Sequence, residues 1–188
     1  MPKRPACALT ALLVLAIGGA MPARAARHSF ALAPGPVQMQ LRAYSLGFIP
    51  IDGSFKRFAG TLELDDADPA FCMLSLTAQA NSLEMPTQLM TDNALGPDLL
   101  DVAHYPTARF DGQCHGSALA GVLELHGVAK PLEMAVTVAV GRWTAVGQVH
   151  RAAWGMGAKP ALAGPEVRIT ITAGLPANMR PASMHATP

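Results

Sequence analysis

The chain has 188 residues, 51% of them hydrophobic but only 5% aromatic, enough for one core filled mainly by Leu, Val, Ala and Met. Its 14 Lys and Arg nearly balance 13 Asp and Glu and form no basic tract, which argues against nucleic acid as a partner. Three cysteines are present, at positions 7, 72 and 114.

Lys3 and Arg4 open the chain, Ala6 to Ala20 carries no charge, and Ala23-Arg24-Ala25 has the small-x-small form of a secretory cleavage site. The uncharged run is shorter than the ~20 residues of a membrane span. Cys7 precedes that run, whereas a lipidated cysteine would follow it. Residues 1–25 are therefore expected to be a signal peptide cleaved near Ala25, followed by one soluble domain over 26–176 and a disordered tail over 177–188. Loss of Lys3, Arg4 and Arg24 leaves 11 basic residues against 13 acidic, a net charge of −2.

Val37, Met39, Leu41 and Ala43 alternate with Gln38, Gln40 and Arg42, which predicts a first strand, and Ser45 continues its inward parity. Ser45 to Gly60, containing Phe48, Phe55 and Phe58, reads as a glycine-punctuated turn. A second strand then places Leu62 and Leu64 on one side. Asp65-Asp66-Ala67-Asp68-Pro69 lacks the glycine and distal glutamate of a calcium loop and reads as a solvated turn, with no metal. Cys72 to Ser82 is the third strand, with Leu74, Leu76, Ala78 and Ala80 on the parity of Cys72. From Leu83 to Val102 the alternation is lost. Leu89, Leu95, Leu99 and Leu100 there predict short helices interrupted at Gly96-Pro97.

The fourth strand follows Tyr105-Pro106 and carries Ala108, Phe110, Gly112 and Cys114 on one parity. If strands three and four pair antiparallel, matching Ala80 to Pro106 sets an index sum of 186, and Cys72 with Cys114 gives the same sum. In that register the two cysteines face each other and a disulfide is expected in an oxidising compartment, two buried free thiols being the alternative. Gly121 to Val140 reads as a hairpin, with Leu123 and Leu125 on its first arm. His126 to Pro131 forms its turn, and Leu132, Met134, Val136, Val138 and Val140 lie on its second arm. Trp143, Ala145, Gly147 and Val149 mark a seventh strand, a loop passes through Trp154, and Val167 to Leu175 forms an eighth with Ile171 on its apolar side. Eight strands without βαβ alternation predict an all-β fold. The expected form is an eight-stranded antiparallel barrel with a short helical insertion between strands three and four. Strands of ~9 residues would span ~23 Å along a tilted barrel axis, room for one elongated apolar ligand.

Four segments resemble the YceI family of lipocalin-like, polyisoprenoid-binding proteins exported to the bacterial periplasm. Gly53-Ser-Phe-Lys-Arg-Phe-Ala-Gly60 is similar to the family's G-x-F-x-x-F-x-G. Asp98 to Phe110 resembles its D-F-x-x-x-x-Y-P-x-x-x-F, Leu123 to Leu132 its L-T-L-x-G-V-T-K-P-V, and Arg151 to Met156 its R-x-x-F-G-M. The sequence departs from the pattern at Ser45, where many members have a histidine. It also departs at Ser82-Leu83-Glu84 and Asp92-Asn93-Ala94-Leu95, where polar motifs of the family are degraded. Head-group preference is expected to differ there.

The resemblance implies a periplasmic, non-enzymatic carrier of a polyisoprenoid, isoprenoid quinone or similar lipid, in transient contact with a membrane. No cofactor is expected other than such a bound lipid. Candidate ligand-binding residues are Leu41, Ser45, Phe48, Phe55, Phe58 and Leu62 in the first part of the chain. Leu76, Phe110, Leu123, Leu125, Met134, Val136, Trp154 and Ile171 follow from the later strands and loop, with Leu89, Leu95 and Leu99 at a mouth. Two other readings compete: a barrel whose interior is filled by its own side chains, and a hydrolase-type enzyme. Against the latter, His28, His104, His115, His126, His150 and His185 form no H-E-x-x-H, and G-x-S-x-G is absent. Cys114 and His115 are neighbours on a strand and point to opposite faces, which does not suit a nucleophile–base pair. His104 and His126 are expected at the surface.

Overall fold

The computed structural model describes residues 27–65, 71–139, 141–158 and 163–176. The expected signal peptide, the aspartates at 66 and 68 and the expected tail lie outside the described residues. Eleven antiparallel strands form one curled sheet: β1 (Arg27–Leu32), β2 (Val37–Ser45), β3 (Ile49–Phe55), β4 (Phe58–Asp65), β5 (Cys72–Gln79), β6 (Leu83–Glu84), β7 (Thr107–His115), β8 (Ala118–Leu125), β9 (Val128–Ala139), β10 (Arg142–His150) and β11 (Glu166–Gly174). The hydrogen-bonded order is β1-β4-β5-β7-β8-β9-β10-β11-β2-β3-β6. One α-helix, α1 (Gln88–Leu95), lies between β6 and β7, where the short helices were expected.

The count of eleven corrects the eight strands expected, and the pairing explains the difference. Phe58 pairs with Ala78 and Ser54 with Glu84, so the β4–β5 and β3–β6 ladders differ by only two in index sum. They form one ladder broken at Lys56-Arg57 on one side and by the 3-10 turn Ala80–Ser82 on the other. Likewise β1–β4 and β2–β3 differ by two, with the break at residues 33–36. Three passes of the chain are thus each interrupted, and the sheet curls so that the β3–β6 ladder continues the line of the β4–β5 ladder. Lys56 N–H donates to Ser82 O at 3.0 Å and Gln79 N–H to Arg57 O at 2.9 Å across that junction.

β3 was expected to be turn because it contains Pro50 and Gly53. Both have reasons to be in a strand. Pro50 lies opposite Tyr44 before β6 begins to pair, so its missing N–H disrupts no ladder on the outer side. At Gly53 a Cβ would come within 2.4 Å of Met85 Sδ, so glycine is what lets the segment leading to α1 pack on β3. β1 has only Leu32 buried and so shows little alternation. The β8–β9 turn is also shorter than expected. His126 (φ +52°) and Gly127 (φ +71°) make a two-residue turn, and Pro131 lies within β9 opposite Val122, before β10 starts to pair.

β5 and β7 pair in the expected register: Ala78 is opposite Ala108, and Cys72 and Cys114 are disulfide-bonded with Cα atoms 4.7 Å apart. Inward side chains fill the end of the sheet nearest this bridge, where Trp143, Leu119, Cys114 and Leu64 are fully buried. At the opposite end the filling is incomplete.

A candidate apolar ligand site beneath helix α1

At that incompletely filled end lies a cavity of about 210 Å³. Its walls come from the inward parity of the strands: Met39, Leu41 and Ala43 of β2, Leu123 and Leu125 of β8, Val167 and Ile169 of β11. Phe55, Leu83 and Met85 close one side, while Met90, Asn93 and Ala94 of α1 and then Leu99 and Leu100 lie over it. The helix is anchored locally. Thr87 Oγ1 accepts from Met90 N–H at 3.2 Å, and Thr91 Oγ1 both donates to Thr87 O and accepts from Met85 N–H. At its other end Gly96 N–H reaches Asp92 O and Leu100 N–H reaches Ala94 O, folding residues 96–101 back over the opening. A further void of about 20 Å³, no more than a water's room, lies deeper and shares Met39, Ala108, Leu123 and Ile169 with the cavity.

Of the residues singled out from the sequence, Leu41, Ser45, Phe55, Leu99, Leu123 and Leu125 line the cavity. Leu76, Phe110, Met134 and Ile171 surround the deeper void, so they are packed interior. Phe58, Leu62, Val136 and Trp154 belong to the buried core and do not line the cavity, and Leu95 is packed against that core. Two placements correct the expectation of a wall or lining: Phe48 is 73% exposed in the β2–β3 turn, and Leu89 is 72% exposed on α1. The reason is parity. Phe48 lies in a turn beyond the last inward residue Ser45, and Leu89 sits one position from Met90, which faces the cavity.

Several lining residues were missed. Met39, Val167 and Ile169 follow the strand parity and were legible as inward, although they were not singled out. Asn93 and Arg151 are not marked by strand parity, but both fall in segments that resemble or depart from the family pattern, Asn93 in the degraded piece at 92–95 and Arg151 at the start of the segment 151–156. Ser82, which the degraded family motif placed among candidate head-group contacts, is buried in the seam and does not line the cavity. Its Oγ accepts from Arg57 N–H at 3.0 Å and is 2.7 Å from Gln79 O. Glu84 is exposed and pairs with Lys56 Nζ at 3.4 Å.

Three of the four sequence segments converge at one rim. The Tyr105 ring packs on His126, centroids 4.2 Å apart, and a Cβ on Gly127 would strike Tyr105 Cε1 at 2.6 Å. A Cβ on Gly155 would approach His126 Nδ1 to 3.3 Å, and Trp154 Nε1 donates to Leu123 O at 3.2 Å. These contacts fix the β8–β9 turn against the 3-10 turn Arg151–Trp154. His126 is therefore half-buried rather than at the surface, while His104 is exposed and held by Asp101, Nδ1 to Oδ2 2.9 Å. Among the described residues no three His, Cys, Asp or Glu side chains gather as a metal set. A second hollow, about 300 Å³, lies on the disulfide end between Arg27, Glu63, Asp65 and Gln113, and its walls are as polar as they are apolar.

An antiparallel sheet curled about an apolar cavity, with a short helix over the opening, defines a lipocalin-like fold. The YceI-like domain model matches residues 30–175, and the chain belongs to that family. A UPF0312 protein of Pectobacterium atrosepticum is 28% identical over 141 residues, 71% of each chain. Among solved structures, Burkholderia cenocepacia BcnA is similar with a TM-score of 0.63 and 21% identity, over 74% of this chain and 96% of its own. A polyisoprenoid binding domain from Saccharophagus degradans, implicated in plant cell wall breakdown, matches with a TM-score of 0.54 and 11% identity, over 79% of this chain and all of its own. At these identities the structural likenesses establish the fold.

Proposed function

We propose that this protein is an exported, non-enzymatic carrier that holds part of an elongated apolar ligand, a polyisoprenoid, isoprenoid quinone or similar lipid, in the cavity beneath α1. The observation that carries the reading is the cavity itself: an opening at one end of the sheet lined almost entirely by hydrocarbon and thioether groups, whereas the hollow at the disulfide end is half polar. Each methylene buried there contributes about 0.8 kcal/mol, so a few isoprene units supply useful affinity without any specific contact. Its volume is below the ~300–1,000 Å³ typical of small-molecule sites. A long tail would therefore displace Met39, Met85, Met90 or Met156, unbranched side chains that repack readily. The polyisoprenoid-binding domain of like fold supports the same class of ligand.

Pickup from and delivery to a membrane belong to this reading. Leu46 and Phe48 in the β2–β3 turn and Ile49 at the start of β3 are exposed between cavity-lining Ser45 and Ile51, and Leu89 and Met90 are exposed on α1. Apolar side chains around the mouth of an apolar cavity suit brief contact with a lipid surface. The leader-like start of the sequence supports export, with the periplasm as destination.

The test is extraction of natively purified protein followed by lipid mass spectrometry, then titration of the emptied protein with polyprenyl lipids. A stoichiometric isoprenoid, quinone or fatty acid is the expected result. Protein that comes out empty and rejects added lipids would overturn the carrier reading in favour of a structural barrel with a filled core.

A further inference from the structure

Among the described residues one charged side chain lines the cavity. Arg151 begins the 3-10 turn after β10, is only 4% exposed, and among the described residues its guanidinium is held by main-chain carbonyls. Nε donates to Gly164 O at 2.8 Å, Nη1 to Ala158 O at 2.8 Å and to Met156 O, and Nη2 to Ala163 O. These bonds use four of the five N–H groups an arginine carries. None of the acceptors is ionised, no carboxylate pairs with Arg151 among the described residues, and residues 159–162 of the same loop contain no acid. Burial lowers the Arg151 pKa from its ordinary value, but an arginine remains charged at neutral pH.

A buried cation without a counter-charge is costly, and carbonyl dipoles offset only part of the desolvation. Other polar groups share its surroundings. Gly164, whose carbonyl takes Arg151 Nε, donates its own N–H to Tyr44 O at 2.7 Å, which brings the end of β2 and Ser45 to the same rim. Among the described residues Ser45, Asn93 and Arg151 are the three polar ones lining a cavity otherwise lined by apolar side chains. In a site of low dielectric an opposite charge near the guanidinium gains far more than it would in water. We infer that the ligand is an amphiphile with an anionic head, a carboxylate or phosphate, seated at the Arg151 rim with its tail against Met39, Leu123 and Ile169. The inference deepens the carrier reading and rests on it.

The experiment compares ligands of equal tail and different head on the emptied, full-length protein at low ionic strength: dodecanoate against dodecanol, and geranyl phosphate against geraniol, by titration calorimetry. The anionic member is expected to bind at least tenfold more tightly in one or both pairs, and the pair with the larger ratio identifies carboxylate or phosphate. Ser45→Asp places a carboxylate at the same rim and is expected to reverse the ranking. Arg151→Met should abolish it, and Ser45→Asp keeps the question answerable if that variant does not fold. Equal binding of acid and alcohol overturns the anionic head and leaves the carrier intact. A preference untouched by Ser45→Asp overturns the placement at Arg151, and binding of neither member overturns both readings.

Discussion

Gly127 shows how a single backbone angle and a distant ring fix one rim of the cavity. Its φ of +71° is a region that side chains with a Cβ rarely adopt, and an added Cβ would meet Tyr105 Cε1 at 2.6 Å. Gly127→Ala is expected to lower stability by about 1–3 kcal/mol, read as a shift in the urea midpoint. Part of that loss comes from the ring and part from the backbone. In a Tyr105→Ala background the same substitution should therefore cost less, and a double-mutant cycle measures the difference. Strictly additive losses would show that the ring plays no part. The glycine was legible as a turn residue because the two flanking apolar runs demanded a turn. Its contact with Tyr105 was not, since nothing in a period-2 pattern relates residues 22 positions apart. Arg151 was legible as the first residue of a family-like segment, but its contacts were not, since its partners are main-chain carbonyls, which leave no mark on residue type.

At the scale of elements, apolar alternation located eight passes of the chain, because a strand with one buried face must alternate, while the β5–β7 register rested on the assumed match of Ala80 to Pro106. What alternation could not show was where a pass breaks. β3 and β4 follow one another through Lys56-Arg57, while β5 and β6 are joined by a 3-10 turn, and Ser82 bridges the two breaks. Ser82 Oγ gives Arg57 N–H an acceptor that the interrupted ladder does not supply. Ser82→Ala leaves that donor without its partner and is expected to destabilise the protein by about 1–3 kcal/mol. Native-state hydrogen exchange should locate the effect, with faster exchange at Lys56, Arg57 and Gln79 than in the β8–β9 hairpin. Uniform acceleration across the sheet would argue that Ser82 acts on global stability and not on the seam. The same element-scale limit explains the partial legibility of the cavity. Parity identifies inward residues such as Leu41 and Phe110 alike, but whether an inward side chain meets a void or another side chain depends on packing across the sheet.

The described residues make a two-ended molecule: at one end buried apolar side chains and a disulfide fill the interior beside a part-polar hollow, and at the other an apolar cavity opens beneath α1. Cys72 and Cys114 lie at the filled end with Leu119 and Leu64, whereas the cavity is bordered by the opposite ends of the same strands, near Ala78 and Ala108. The bridge joins cysteines 42 positions apart in the chain, and closing a loop of that length in the unfolded chain is worth about 4 kcal/mol in the loop-entropy model, 2–4 kcal/mol in typical measurements. Stability should therefore depend strongly on the disulfide and the architecture of the open end only weakly. The paired substitution Cys72→Ser with Cys114→Ser is expected to lower unfolding stability by about 2–4 kcal/mol relative to the oxidised protein. In a Trp143→Phe background, near-UV circular dichroism of the folded variant should retain the signal of Trp154, which bonds to the main chain of cavity-lining Leu123. Folded variant protein that has lost the Trp154 signal would show that the bridge also shapes the cavity. A stability equal to that of the oxidised protein would show that the filled end is held by its apolar packing alone, with Trp143 and Leu119 sufficient without the cross-link.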